Sequence, residues 1–215
     1  INDSCYLAEF QNKTLAFDVS VFMYKFCYGL GDPMQHFLRQ VETCRSFGVN
    51  IVYVFDGPPP RSKNAELEKR REEKERARKM LEDLDQQILS TPSATLIEKR
   101  DRMRKRVLSI PRRSDYENLM RILERHGVKY VVAPSDAEKE AARLCAVGRA
   151  HAVVTEDFDA LAYLAGMNGG KGLMITNFGD SAYGIRSYDV ETMLANLQLA
   201  PSSFIDLCIL SGCDF

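Results

Sequence analysis

Seven acidic residues recur where short apolar segments end or where helical segments begin: Asp18, Asp56, Asp136, Glu138, Asp157, Asp159 and Asp214. Carboxylates gathered in one place repel one another, and burial raises the cost, so such a group needs cations or protons to persist. Oxygen ligands without histidine select Mg²⁺ or Mn²⁺ over Zn²⁺. Two such ions, about 4 Å apart, can activate a water and stabilise the leaving oxygen of a phosphate ester. The pattern therefore predicts phosphodiester hydrolysis.

Each of these acids also has an ordinary structural explanation. An Asp that follows a strand, such as Asp18, commonly forms a turn or caps a helix. Asp136 and Glu138 at a helix start would favour the helix dipole. Asp157 and Asp159, two residues apart beyond an apolar segment, are harder to explain in this way. The repetition of the pattern along the chain, rather than any single acid, favours a metal site.

The segments that would position these acids alternate between strand and helix patterns. Three β-branched or aromatic segments, 14–17, 50–55 and 151–154, each precede an acid and predict buried parallel strands, and 128–132 predicts another. This alternation predicts an α/β fold with a mostly parallel central sheet flanked by helices. Because the carboxyl ends of parallel strands converge at one edge, the acids should meet there.

The segments between the strands carry helical start and stop signals. Ser114 with Glu117 predicts a capping box, and Ser135 predicts the cap of the next helix. Glycines at 169–172 indicate a hairpin that runs to Ile185. The predicted helices cover 21–47 (as one helix or a pair), 116–126 and 135–147, with others from about 189 and 202, and the capping glycines are Gly48, Gly127 and Gly148.

The net charge of −1 hides an uneven distribution. Residues 61–106 contain 15 Lys or Arg and 10 Asp or Glu, which leaves 14 basic and 20 acidic residues elsewhere. Within this basic stretch, 63–87 and 94–108 predict two polar helices separated by the break at 90–93. We expect a single domain over 1–215 that carries a basic helical insertion at 61–110. This concentration of positive charge in one segment suits the binding of nucleic acid.

Other sequence features exclude several classes of protein. No apolar run approaches the roughly 20 residues of a membrane span, and no secretory signal is present at the start. The six cysteines lack zinc-site spacing, so we expect reduced core thiols. An intracellular protein without a membrane partner is the expectation.

Five motifs in this order resemble the flap endonuclease and XPG-type group of structure-specific 5′ nucleases. The resemblance implies a PIN-like nuclease core in which all seven acids serve two Mg²⁺ ions, with Mn²⁺ as a substitute. Asp136 stands where the family often has Glu. The implied reaction is cleavage of DNA at a 5′ flap or 5′ end in replication or repair. The matching strings are LAFDVS, VYVFDGPPPRSK, APSDAEKEAA, VVTEDFDALAY and LCILSGCDF.

The resemblance also assigns roles to three other residues. It implies that Lys63 and Arg70, on the first helix of a helical arch, reach the scissile phosphate and take part in catalysis. It implies that Tyr24 stacks on a nucleobase of the substrate, whereas the sequence alone would make it a core tyrosine. The resemblance also implies that the family's helix-two-turn-helix and a sliding-clamp motif would lie beyond Phe215. We expect a monomer in the nucleus, with the cytoplasm and the mitochondrion as the alternatives.

Two other functions fit the same sequence. One is a metal-dependent ribonuclease of the related PIN-like class. The other is a catalytically silent nuclease-like scaffold, which the loss of several acids would mark; no acid is lost here.

Overall fold

The structure is a computed structural model that describes residues 3–28, 32–58, 64–108, 110–178 and 184–213, without the side chains of 3–4, 64–71, 73–74 and 105–108. Its strands are β1 (Asp3–Cys5), β2 (Thr14–Asp18), β3 (Asn50–Phe55), β4 (Lys129–Val132), β5 (Ala152–Val154), β6 (Leu173–Thr176) and β7 (Ile185–Asp189). Its helices are α1 (Val19–Tyr28), α2 (Pro33–Ser46), α3 (Asn64–Ser90), α4 (Ala94–Leu108), α5 (Arg113–Arg125), α6 (Ala137–Ala146), α7 (Asp159–Met167), α8 (Val190–Leu197) and α9 (Pro201–Leu210).

The strands form one sheet in the order β1-β7-β6-β5-β2-β3-β4. The pairs from β6 to β4 are parallel, and β7 is antiparallel to both β6 and β1. This topology confirms the predicted α/β fold with a mostly parallel sheet. The sequence did not predict β1, a three-residue strand that pairs with β7 near the other end of the chain.

The sheet buries different side chains on its two faces. Phe17 and Tyr53 pack among aromatic rings beneath α1 and α2, with their centroids 5.6 Å apart. The opposite face presents Ala16, Val54 and Val153, which pack against the small residues of α6 and α7. Because β2 lies between β3 and β5 and is buried on both faces, its carboxyl end lies at the centre of the sheet edge.

Two predicted helix caps are wrong by one or two residues. Helix α5 begins at Arg113, before the predicted capping box of Ser114 and Glu117, because the carboxylate of Asp115 accepts a hydrogen bond from the Arg112 N–H at 2.7 Å. Asp136 occupies the N-cap position of helix α6, and the predicted cap Ser135 is the preceding residue. The three predicted capping glycines all adopt left-handed backbone conformations, with φ between +62° and +71°.

The two helices of the insertion pack against each other and match the predicted pair. Leu84 of α3 is buried, and Arg100 of α4 lies 3.8 Å from Asp85 of α3. Helix α4 also contacts α1, so the insertion is attached to the helix that follows Asp18.

All six cysteines are thiols rather than disulfides; Cys5 and Cys44 are buried, and the other four are partly exposed, three of them packed against the core. Among the described residues, no single helix has the length and apolar character to cross a membrane. Helices α8 and α9 have that length and apolar character only when taken together, and the chain bends by 86° at the break between them.

Gly57 sets the path of the chain directly after β3. A Cβ atom at this position would lie 2.0 Å from the Ala133 carbonyl oxygen, and the Gly57 N–H donates to the Ser135 carbonyl at 2.7 Å. This contact also explains why the N-cap of α6 lies one residue after Ser135, at Asp136, since Ser135 is held in the crossing between the two segments. Only glycine permits such a close approach of two backbones.

We expect Gly57→Ala to lower the free energy of unfolding by about 1 to 3 kcal/mol, because the added methyl group must displace backbone. Gly166→Ala in α7 is the matched control, since its Cβ would meet only the flexible end of Ile205 at 3.2 Å. Urea denaturation of both variants measures the difference. Equal stabilities for the two variants would contradict the proposed backbone constraint.

Candidate functional site

Asp18 ends β2 and is fully buried, yet both of its carboxylate oxygens accept hydrogen bonds. Oδ1 accepts from the Ser20 N–H at 2.9 Å and from the Val21 N–H at 3.5 Å, in the first turn of α1. Oδ2 accepts from the Thr155 hydroxyl at 3.1 Å. The start of α1 and the end of β5 thus hold this carboxylate from two sides.

Asp56 follows β3 and is exposed. Its Oδ1 accepts from the Ala137 N–H at 2.8 Å, in the first turn of α6. Its Oδ2 accepts a hydrogen bond from the Ser20 hydroxyl. Ser20 therefore contacts both Asp18 and Asp56 and links the ends of two neighbouring strands.

Asp157 and Asp159 follow β5 and lead into α7. Asp157 is exposed, and its Oδ1 accepts from the Asp159 N–H at 3.0 Å. The Asp157 N–H donates to the Thr155 hydroxyl oxygen at 3.1 Å. Because the same hydroxyl donates to Asp18, Thr155 connects the end of β2 to the end of β5.

The remaining described acids lie at the start of α6, with Asp136 at the cap and Glu138 in the first turn. The pKa of Glu138 is raised to about 7, chiefly by burial and also by the nearby charges of Asp56, Asp157 and Asp136, which together outweigh one backbone hydrogen bond that lowers it. Burial also raises the pKa of Asp18 well above its usual range, with contributions from the charges of Glu138 and Asp56.

Tyr163 of α7 lies beside the same group. Burial raises the pKa of its phenol, and the neighbouring charges of Asp136, Glu138 and Asp159 add to the effect. The structure thus brings six of the seven predicted acids to one sheet edge, where their charges act on Glu138, Asp18 and Tyr163. The seventh, Asp214, lies outside the described residues.

These carboxylates are close but do not converge on one point. In the part of the chain that the structure describes, no group of three or more His, Cys, Asp or Glu side chains has the geometry to hold a metal ion. The hydrogen bonds from Ser20, Thr155 and Ala137 instead hold individual carboxylates around the edge.

The structure describes the three residues assigned to the substrate to different extents. Lys63 lies outside the described residues, and Arg70 lies in α3, where its side chain is not described. Tyr24 lies on α1, one turn after Ser20, and is 48% exposed. Its assignment as a core tyrosine is therefore wrong, and its ring is accessible on the helix that follows Asp18.

Ser20 and Thr155 contact the acids but were missed as site residues in the sequence. Both lie inside the recognised strings, two residues after Asp18 and two before Asp157. A small hydroxyl residue at such a spacing was a usable signal, because hydroxyls beside turns and helix starts commonly bond to neighbouring polar groups.

We expect Glu138→Gln to stabilise the metal-free protein at pH 8 by about 1 to 3 kcal/mol and much less near pH 4.5. The folded pKa of Glu138 is raised, so its contribution is fully present below the unfolded pKa and is lost as the pH rises through about 7. Denaturation in chelator at both pH values measures this. A gain that did not depend on pH would contradict charge repulsion as its cause.

Thr155→Val should weaken the binding of the Mg²⁺ that the sequence predicts by about tenfold, because it keeps the side-chain shape and removes the hydroxyl that links Asp18 and Asp157. Thr155→Ser should bind the ion nearly as the unchanged protein does. Thr176→Val, at a second buried threonine at the end of β6, is the control. Calorimetric titration decides; equal affinities for the Val and Ser variants at 155 would show that the hydroxyl does not position the acids.

Comparisons with known proteins match both halves of the chain. A family model described as the XPG N-terminal domain matches residues 2–77, and one described as the XPG I-region matches 127–214. Flap endonuclease 1 of Aedes aegypti is 30% identical over 227 residues, which cover 97% of this chain and 56% of that protein. The chain spans about half the length of the curated relatives that it matches.

Solved structures show the same fold. The catalytic core of Rad2 in complex with DNA substrate matches with a TM-score of 0.70 at 23% identity, covering 100% of this chain and 59% of that one. Flap endonuclease-1 from Methanococcus jannaschii matches with a TM-score of 0.70 at 20% identity, covering 100% and 69%. The two XPG matches include all seven acids, and the chain therefore belongs to the XPG-type flap endonuclease family.

Proposed function

We propose that this chain is the nuclease part of a structure-specific 5′ nuclease, which hydrolyses DNA phosphodiesters at a 5′ flap or 5′ end with divalent metal ions. One observation carries the proposal: six carboxylates from the ends of β2, β3 and β5 and the start of α6 face one sheet edge. Two of them have pKa values raised by burial and by one another. A cation relieves both costs.

The donor set fits Mg²⁺ although no three described carboxylates converge. Mg²⁺ keeps several of its waters and is commonly bound through only one or two carboxylates, so the others act through bound water. Each carboxylate oxygen also has more than one lone pair, so an oxygen that accepts one hydrogen bond can still interact with an ion or its water. Asp18 and Asp56 can therefore keep their hydrogen bonds and still contribute to an ion site.

The carboxylates would divide between two ions, with Asp214 completing the set. When bound, the ions would supply an activated water and stabilise the leaving oxygen. The chain's own residues fix the acids: Ser20 holds Asp56 against the start of α1, and Thr155 holds the turn that carries Asp157. Such fixed hydrogen bonds reduce the reorganisation needed when charge develops on the phosphate.

The substrate assignment rests on the surface beside the acids and on the relatives. Tyr24 presents an accessible ring on α1, and stacking of a base on such a ring contributes about 1 to 3 kcal/mol. The Rad2 structure with a similar fold is a complex with DNA substrate. We propose that Lys63 and Arg70, at the start of the basic insertion, contact the phosphate near the cut.

The decisive experiment offers labelled 5′-flap DNA, blunt duplex and a matched RNA with Mg²⁺, Mn²⁺, Ca²⁺ or chelator. We expect cleavage of the flap substrate with Mg²⁺ or Mn²⁺ only. Asp157→Asn and Asp159→Asn should each lower the cleavage rate by on the order of a hundredfold or more, without loss of thermal stability, because each removes a charge from the repelling group. Glu191→Gln, at an exposed acid of α8, is the control.

Three outcomes would contradict the proposal. Absence of metal-dependent cleavage of every substrate would reject a nuclease. Cleavage of RNA alone would favour a ribonuclease of the related PIN-like class. Full activity of both Asn variants would remove Asp157 and Asp159 from the mechanism.

A further inference from the structure

Glu156 lies between Thr155 and Asp157, yet its carboxylate bonds to partners outside the six acids. Its Oε1 accepts from Lys25 Nζ of α1 at 3.0 Å. Its Oε2 accepts from the Asn177 N–H, directly after β6, at 3.1 Å. One carboxylate thus joins three separate segments of the chain beside the proposed metal site.

Lys25 is held by further contacts on the same side. Its Nζ also donates to the Phe178 carbonyl at 3.3 Å and lies 5.8 Å from the centroid of the Phe22 ring. Its side chain is 41% exposed, so its ammonium group retains part of its hydration. Lys25 therefore lies in a defined position between Glu156 and the end of β6.

The partner segment is fixed in turn. Asn177 adopts a left-handed conformation with φ of +56°, and its Nδ2 donates to the Gly184 carbonyl at 2.6 Å. Phe178 is fully buried and meets Phe17 edge to face, with centroids 4.9 Å apart. Because Phe17 directly precedes Asp18, this segment is anchored in the core beneath the acids.

We infer that Lys25, Glu156 and Asn177, here called the Glu156 clamp, position Asp157 and that Glu156 is not itself a metal ligand. The inference rests on the proposed function. The turn between β5 and α7 is held at two consecutive residues, by the buried hydroxyl of Thr155 and by the Glu156 clamp. Because Thr155 and Glu156 are both held, the path of the chain from β5 to Asp157 is fixed.

The clamp acts through orientation rather than through stability. A partly exposed ion pair contributes little to the free energy of folding. Partners of metal-ligand segments nevertheless change metal affinity or activity by about 10- to 100-fold when they are removed. A clamp residue should therefore affect metal binding and turnover more than it affects unfolding.

The test compares Lys25→Met, Lys25→Arg and Glu156→Ala with the unchanged protein. Calorimetry measures Mg²⁺ affinity without DNA, and kinetics on 5′-flap DNA measure kcat and KM separately. We expect Lys25→Met and Glu156→Ala to weaken Mg²⁺ binding about tenfold and to lower kcat with KM unchanged. Lys25→Arg, which keeps the charge and the donors, should restore both. Glu191→Ala, which removes an exposed partner of Lys171 at 3.8 Å, is the control and should change neither.

Several results would overturn the clamp. Unchanged Mg²⁺ affinity in both Lys25→Met and Glu156→Ala would do so, as would a lowered melting temperature with unchanged affinity, which marks a purely structural role. If Lys25→Arg does not restore the Mg²⁺ affinity and the kcat that Lys25→Met loses, Lys25 has no role in the clamp. If the unchanged protein binds Mg²⁺ but cleaves no DNA, the proposed function fails, while the calorimetry still decides whether the clamp exists.

Discussion

Repulsion between carboxylates at one edge of the sheet is the constraint on which the rest of this structure depends. Asp18 is buried, and the charges of Glu138 and Asp56 act on it, so its charged form is costly. The fold offsets this cost with hydrogen-bond donors at the same edge. Helices α1, α6 and α7 all begin there, and the positive ends of their dipoles and their first-turn N–H groups favour negative charge.

The topology makes this arrangement possible. Each parallel strand ends at the same edge, and the helix that follows β2 or β5 starts within a few residues of the strand's last residue. An acid placed in that short connection therefore lies near a helix start and near the acids of the neighbouring strands. The same geometry that supplies donors also concentrates charge, so the metal-free site carries stored unfavourable energy that an ion would release.

Features set by nearby residues were predictable from the sequence, and those set by distant contacts were not. The strands β2 and β3 and the helix ends before the capping glycines follow from apolar runs and from glycine conformation. The start of α6 was misplaced, because a contact between Gly57 and Ser135 moves it. Strand β1 was missed, since three residues carry no periodicity and their pairing with β7 is set far along the chain. For the site, the six described acids lie at one edge, while their role as metal ligands and the placement of Lys63 and Asp214 stay predictions.

The direction of each side chain was the part of the site that residue type alone could not give. The string T-E-D-F-D holds three acids, and composition treats them alike. The chain leaves β5 at Val154 and bends at Glu156 before α7 begins, so a simple strand alternation does not give these directions. The Asp157 N–H donates to the Thr155 hydroxyl, which itself donates to Asp18, while the Glu156 carboxylate accepts from Lys25 and from the Asn177 N–H. Partners from distant segments therefore separate the acid proposed to face the metal site from the one that holds the turn, although both stand in the same motif.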